Sequence, residues 1–340
     1  MNLKDAKYAR FALVREMMAT PDIVRRFEPG AAEPFLADIR KLGRLFLTGE
    51  GSSRIFPAKR AIYDALRHGD PMPIVTDGAT QALEYDLGGY AVFGASNSGR
   101  TKEVVRLFQK LAGAGHPAVF GLTADGGSPL AKLCRRCHVL ASGKEQAVAA
   151  TKTVVEQALF YDSLLAGLRG ESLGDLAALA GMMEQALTQT IDAQLVERAK
   201  RATMIFFAGR NNGVAEELAL KTNEITRKKA DFLEGTYAVH GIEEVMEAEE
   251  LAVVIDPFPA EEGKFKECLV DGVGLAVMAI AARRSSFPTM LIPDAGRHQS
   301  YVEIAAGWNL LVEIGVALGI DLDKPQRARK VGNEYLGGKG

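Results

Sequence analysis

The feature that most restricts this chain is a repeated cadence: a short apolar run, a turn rich in Gly, Ser or Asp, then a longer segment with apolar residues at helical spacing. The stretches "RLFLTGEGSS", "YAVFGASNSG", "AVFGLTADGG" and "HVLAS" each read as a buried strand entering such a turn. Helical patterns follow the first three in "RIFPAKRAIYDALRHG", "RTKEVVRLFQKLAGAG" and "SPLAKLCRRC". Strands alternating with helices predict a parallel sheet covered on both faces, with right-handed crossovers gathering the strand-end loops along one edge. The cadence returns in "TMIFFAGRNNGVAEELALKTNEITRKK", and "ELAVVIDPF" and "FPTMLIPDAG" add further buried strands. Residues 151–198 read as helices between the halves, and "YVEIAAGWNLLVEIGVALG" as a helix ending near Gly319 before an irregular tail. The expected architecture is α/β, with two α/β units joined by helices. Its expected boundaries are an N-terminal helical segment 1–30, a first unit 31–170, connecting helices 171–198, a second unit 199–325 and a tail 326–340.

Composition narrows the function classes. At 340 residues and 47% hydrophobic, the chain can bury a core without disulfide staples. Lys and Arg total 41 against 43 Asp and Glu, so there is no global basic field to attract nucleic acid or a membrane surface. A small polar or anionic ligand remains open. No apolar run approaches the roughly 20 residues of a membrane span, and "MNLKDAKYAR" lacks a signal-peptide core, so a cytoplasmic location is expected. Three cysteines in so long a chain argue against a disulfide framework. Cys134, Cys137 and His138 form "CRRCH", the spacing used for c-type haem, but attachment of that kind belongs outside the cytoplasm. The surrounding "SPLAKLCRRCHVLAS" reads as a short helix opening near Ser128 and Pro129, then a strand, with the cysteines inert on the helix. No metal cluster and no cofactor motif is visible.

Two loops carry a chemical signal. In "ASNSGRT" the side chains of Ser96, Asn97, Ser98 and Thr101 can all donate, at a strand-to-helix turn whose helix is expected to begin near Gly99 or Arg100. In "TGEGSSR" the donors are Ser52 and Ser53. Hydroxyls and backbone N–H groups converging at a helix N-terminus bind anions. Neither loop fits the nucleotide pattern G-x-x-x-x-G-K-[ST] or the dinucleotide pattern G-x-G-x-x-G, which leaves a single phosphate on a polyol as the fitting ligand.

The motifs "GEGSS", "ASNSGRT", "EQAVAATK", "ELALKTNEITRKKADFLEGTYAVHG" and "DKPQRARK" occur in this order. With them the chain resembles the sugar isomerase (SIS) domain family, and within it the double-SIS isomerase part of glucosamine-6-phosphate synthases. The resemblance implies two SIS units and a phosphate held by Ser52, Ser53, Ser96, Asn97, Ser98 and Thr101. It implies that Val148 and Ala149 line the sugar. It makes Glu224 the base that moves a proton between C1 and C2, with Lys221 beside it on the same helix face. It makes His240 the ring-opening residue, supplied by the neighbouring subunit of a homodimer, and Lys330 in the tail the Schiff-base lysine. Asn97 stands where the synthases have Gln, Ala150 where they have Ser, Val239 where they have Lys and Ile242 where they have Pro. The chain begins at the isomerase-like part, so no glutamine-hydrolysing domain is expected.

These residue types suit the chemistry. Moving a proton between adjacent carbons needs a carboxylate held partly out of water, ring opening needs a group that exchanges a proton near neutrality, and a nucleophilic lysine needs its pKa lowered. Three readings follow: an enzyme acting at C1 and C2 of a hexose 6-phosphate or its amino derivative, including a deglycase of amine adducts; a non-catalytic phosphosugar sensor; and a structural oligomer whose loops only cap helices.

Overall fold

In the computed structural model, which describes residues 1–327, 334 and 335, a short helix α1 (Ala6–Ala9) and a longer one, α2 (Ala12–Arg26), open the chain. Contacts then divide the chain into two compact units. One is built mainly from Asp22–Glu145 and Ala150–Leu176, with the described tail residues; the other from Met1–Pro21, Gln146–Ala149 and Ala177–Gln326.

The first of these contains α3 (Glu33–Leu42), β1 (Leu45–Gly49), α4 (Ile55–His68), β2 (Ile74–Gly78), α5 (Ala79–Ala82), β3 (Ala91–Ala95), α6 (Lys102–Gly113), β4 (Val119–Thr123), α7 (Pro129–Leu133), β5 (Arg136–Val139) and α8 (Lys152–Arg169). All five strands are parallel, in the order β2-β1-β3-β4-β5. β1, β3 and β4 are buried at every position, which is why their sequences run apolar without alternation. On one face Phe46, Val92 and Val119 pack with Val104, Leu107 and Phe108 of α6 and Leu130 of α7. On the other, Phe93 and Phe120 meet Phe35 of α3 and Phe160 of α8, with ring centroids 5.0–5.9 Å apart. Gly94 is required at its position, since a Cβ there would lie 2.6 Å from the Phe108 ring. A buried Arg60–Asp162 pair at 2.7 Å ties α4 to α8.

The other unit continues with α9 (Leu176–Thr188), α10 (Ala193–Arg201), β6 (Met204–Gly209), α11 (Val214–Thr226), β7 (Lys229–Glu234), β8 (Leu251–Ile255), α12 (Glu262–Phe265), β9 (Ala276–Ala281), β10 (Thr289–Leu291) and α13 (Gln299–Ala317). Its parallel sheet has the order β10-β9-β8-β6-β7. Taken from the opposite edge this is the first sheet's order, so the fold is an internal repeat. Each sheet is followed by a long helix, α8 or α13, buried on nearly all sides, and neither sequence shows a polar stripe.

Three local expectations change. The helix after "ASNSG" starts at Lys102 with Thr101 as its N-cap, because Gly99 adopts a left-handed φ of 61° that no helix can include. Cys137 and His138 sit on β5, and Cys134 is the C-cap of α7, so the helix is shorter than the sequence pattern suggests. Strands β2, β7 and β9 form from segments whose sequence does not read as an apolar strand.

In each sheet one pair of neighbours marks a topological switch. β1 leads to β2 on one side while its other neighbour, β3, leads to β4 away from it. The connections after β1 and β3 therefore run in opposite directions, and their first residues are neighbours at the carboxyl ends, where ligands of open α/β sheets bind. Among the described residues no helix is long and apolar enough to cross a membrane.

Candidate functional site

The two serine-rich loops meet at this switch point. Gly49 and Ala95 end paired strands, and a Cβ on Gly49 would sit 2.9 Å from the Ala95 carbonyl, so glycine sets how closely the loops approach. After Gly49, Gly51–Ser53 form a 3₁₀ turn into α4, which buries Ser52. Gln157 of α8, fully buried, donates its Nε2 to Ser53 Oγ at 3.5 Å, and its Oε1 has no partner among the described residues. Glu50 is tied sideways: its Oε1 accepts from the Ala79 N–H at the start of α5 at 3.0 Å. Burial pushes its carboxyl pKa up, against the pull of that N–H.

The second loop is held from below. The Asn97 carbonyl accepts from the Ala124 N–H (3.0 Å) and Thr123 Oγ1 (3.1 Å), and the Gly99 carbonyl accepts from the Leu130 N–H (3.0 Å). Ser96 and Thr101 hydroxyls pair at 2.7 Å across the turn, and Ser98 Oγ accepts from the Arg100 N–H at 3.2 Å. Asn97 Nδ2 is buried with no partner among the described residues. Such a donor is costly, about 1–3 kcal/mol, unless a ligand acceptor satisfies it. Two residues of the tail lie on this loop: Glu334 bridges Thr101, the Tyr335 N–H donates to the Arg100 carbonyl at 2.7 Å, and Gln109 Nε2 donates to the Tyr335 hydroxyl at 2.8 Å.

In the other unit, α11 carries an ion triad. Lys221 Nζ lies 2.6 Å from Glu224 Oε2 and 3.2 Å from Glu217 Oε1, spanning one turn in each direction. Lys221 and Glu217 are 0% exposed and Glu224 is 26% exposed, so only Glu224 offers a carboxylate to solvent or ligand. Burial pulls the Lys221 ammonium down, but the two carboxylates outweigh it and its pKa is raised. Lys221 is therefore a fixed cation that positions Glu224, and a poor nucleophile. Glu217 escaped the sequence reading, although the spacing E-x-x-x-K-x-x-E, i−4 and i+3 about one lysine, was there to find it.

The remaining expected residues are more dispersed. His240 follows the 3₁₀ turn Tyr237–Val239 and is exposed. Among the described residues no hydrogen bond or ion pair joins it to Glu224. Val148 is half-buried and Ala149 buried, in the bends of "EQAVAATK". The end of that motif is braced by Glu145, which accepts from the Thr151 N–H and from Thr153 Oγ1, each at 2.7 Å. Lys330 lies outside the described residues.

The second switch point, between β6 and β8, has other contents. Arg210 pairs with Asp256 at 2.6 Å and stacks over Phe258, 4.3 Å from the ring centroid. Asp256 holds a left-handed φ of 43°. The loop after β8, "DPFPA", has no serine. The space beside it, lined by Gly209, Pro257, Phe258 and Phe265, is about 10 Å³.

Against known proteins, the SIS domain model matches residues 38–167, the sheet that carries both serine-rich loops. Residues 38–167 are a SIS domain. No curated protein matches the sequence. Among solved structures, the C-terminal domain of glucosamine-fructose-6-phosphate aminotransferase from Francisella tularensis superposes with a TM-score of 0.77 at 18% identity, covering 94% of this chain and 100% of that one. Tagatose-6-phosphate ketose/aldose isomerase from Escherichia coli gives 0.73 at 18% identity, with 95% and 99% covered. Glucosamine-6-phosphate deaminase from Thermotoga maritima gives 0.70 at 18% identity, with 94% and 98% covered. The likeness extends past the matched SIS domain over both sheets, so the whole chain shares the fold of these structures.

Proposed function

We propose that this chain is an enzyme acting at C1 and C2 of a hexose 6-phosphate or amino-sugar 6-phosphate, interconverting aldose and ketose, with or without release or transfer of an amine. The observation that carries this reading is the pairing of two chemistries in one chain. A hydroxyl-rich anion cradle with an unsatisfied Asn97 amide lies at one switch point, and a half-exposed carboxylate is fixed by a buried lysine on α11. A sensor or structural oligomer has no need of the second. The similar structures support the choice of substrate, since their names record fructose 6-phosphate, glucosamine 6-phosphate and tagatose 6-phosphate.

In this reading Ser52, Ser53, Ser96, Asn97, Ser98 and Thr101 hold the phosphate, with the backbone N–H groups at the start of α4 and α6 facing the same charge. Val148 and Ala149 line the sugar. Glu224 removes and returns the proton, oriented by Lys221, and His240 of a homodimer opens the ring across the interface. Lys330 is the Schiff-base lysine. The protein works in the cytoplasm without metal or cofactor.

The test is a panel of fructose 6-phosphate, glucosamine 6-phosphate, tagatose 6-phosphate and amine adducts of fructose 6-phosphate, with products and thermal stability followed together. Turnover of one member, lost in Glu224→Gln while stabilisation by that member persists, supports the enzyme. Stabilisation without turnover of any member replaces it with the sensor, and no stabilisation by any member contradicts phosphosugar binding.

A further inference from the structure

The "CRRC" segment is left unused by the sugar chemistry, and its geometry is specific. Cys134 caps the C-terminus of α7 and Cys137 lies on β5, three residues on. Both sulfurs close on the same point of β4: a Cβ on Gly121 would be 2.7 Å from the Cys134 Sγ and 3.0 Å from the Cys137 Sγ. Both thiols are only partly buried, and the Cys137 Sγ–H donates to the His138 carbonyl at 3.7 Å. The helix that ends at Cys134 begins at Ser128, whose side chain lies against Gly99, and its Leu130 N–H bonds the Gly99 carbonyl at 3.0 Å. One short helix thus joins the sulfur pair to the Ser96–Thr101 loop.

We infer that Cys134 and Cys137 are a redox-active dithiol that closes to a disulfide under peroxide and, by drawing α7 and β5 together, alters the Ser96–Thr101 loop. Cys137 is the attacking sulfur. The neighbouring Cys134 thiol holds its pKa down, while the same proximity and burial push Cys134 up. The Cys137 thiolate attacks one oxygen of a hydroperoxide and breaks the O–O bond; the sulfur becomes a sulfenic acid and the other oxygen leaves, protonated, as water or alcohol. The Cys134 sulfur, giving up its proton, then attacks the sulfenic sulfur. The S–S bond forms, and the expelled hydroxide takes that proton as water. Two thiols lose two electrons in all, and the peroxide gains them. A dithiol reductant reverses the change by exchange.

The experiment uses the full chain with Cys268→Ser, which leaves Cys134 and Cys137 as its only thiols. Hydrogen peroxide is added, with intact mass and free-thiol count as readouts. The expected result is loss of both thiols and of two hydrogens in mass, reversed by dithiothreitol, with Cys134→Ser stopping instead at added oxygen on Cys137. Thiols that remain free, or Cys137 gaining oxygen without a disulfide while Cys134 is present, overturn the dithiol. The coupling to the loop rests on the phosphate-binding reading and is read separately, as amide hydrogen exchange at residues 96–101 in oxidised and reduced chain without ligand. Unchanged exchange there overturns the coupling, whether or not a phosphosugar binds.

Discussion

At the scale of single residues, Lys221 and its two glutamates decide most. Glu224→Gln keeps shape and the Lys221–Glu217 contact but removes the proton acceptor, so kcat is expected to fall by about 100-fold or more with the fold intact. Steady-state kinetics beside a urea melt checks this. Lys221→Met removes the buried cation that Glu217 and Glu224 share, and is expected to destabilise the chain by about 3–5 kcal/mol in urea. If Lys221→Met melts like wild type, the triad is not a buried structural pair. Much of this was legible. Glu224 and Lys221 share a helix face by spacing alone, and the structure brings their charges to 2.6 Å. Asn97's unsatisfied amide was not legible, because whether a buried Nδ2 meets an acceptor depends on the walls the fold builds around the loop, which no local pattern encodes.

At the scale of elements, the turn into α6 and the strand β5 make separate predictions. Gly99 has a left-handed φ, and any Cβ there meets the Ser128 side chain and Thr123 Oγ1. Gly99→Ala is expected to cost about 1–3 kcal/mol in a urea melt and to weaken phosphosugar stabilisation more than a distant substitution of equal cost. On β5, His138 lies against Phe160 with ring centroids 4.8 Å apart, and burial lowers its pKa below 6.5. The unfolded chain takes up that proton first, so stability contributed by neutral His138 is present at pH 7 and is lost as pH falls below about 6.5. Between about pH 7.5 and 5.5 the unfolding free energy should fall more steeply for wild type than for His138→Phe; equal slopes would contradict it. The central strands were readable as apolar runs. β2 and β7 were not, because they are edge strands: "IVTDG" and "KADFLE" are half-exposed and mix charge with apolar residues. β9, "AVMAIA", is alanine-rich and carries no strand-like alternation.

At the scale of the whole molecule, the chain repeats one topology with unequal contents. The sequence cadence foretold two parallel sheets, but the filled second switch point was hidden, since the pairing of Arg210 with Asp256 brings together residues of two separate loops. Inorganic phosphate is therefore expected to slow amide exchange at 50–53 and 96–101 and to leave 210–213 and 256–258 unchanged. Protection of both switch points alike would contradict the asymmetry. The most direct measurement of all is proton exchange at the reacting carbons. Fructose 6-phosphate and glucosamine 6-phosphate are incubated with the protein in deuterated water and followed by NMR. Solvent deuterium entering C1 of the ketose or C2 of the aldose with wild type, and not with Glu224→Gln, is the outcome the proposed chemistry requires. Binding of either sugar with no exchange at either carbon would show that the chain holds phosphosugars without moving their protons.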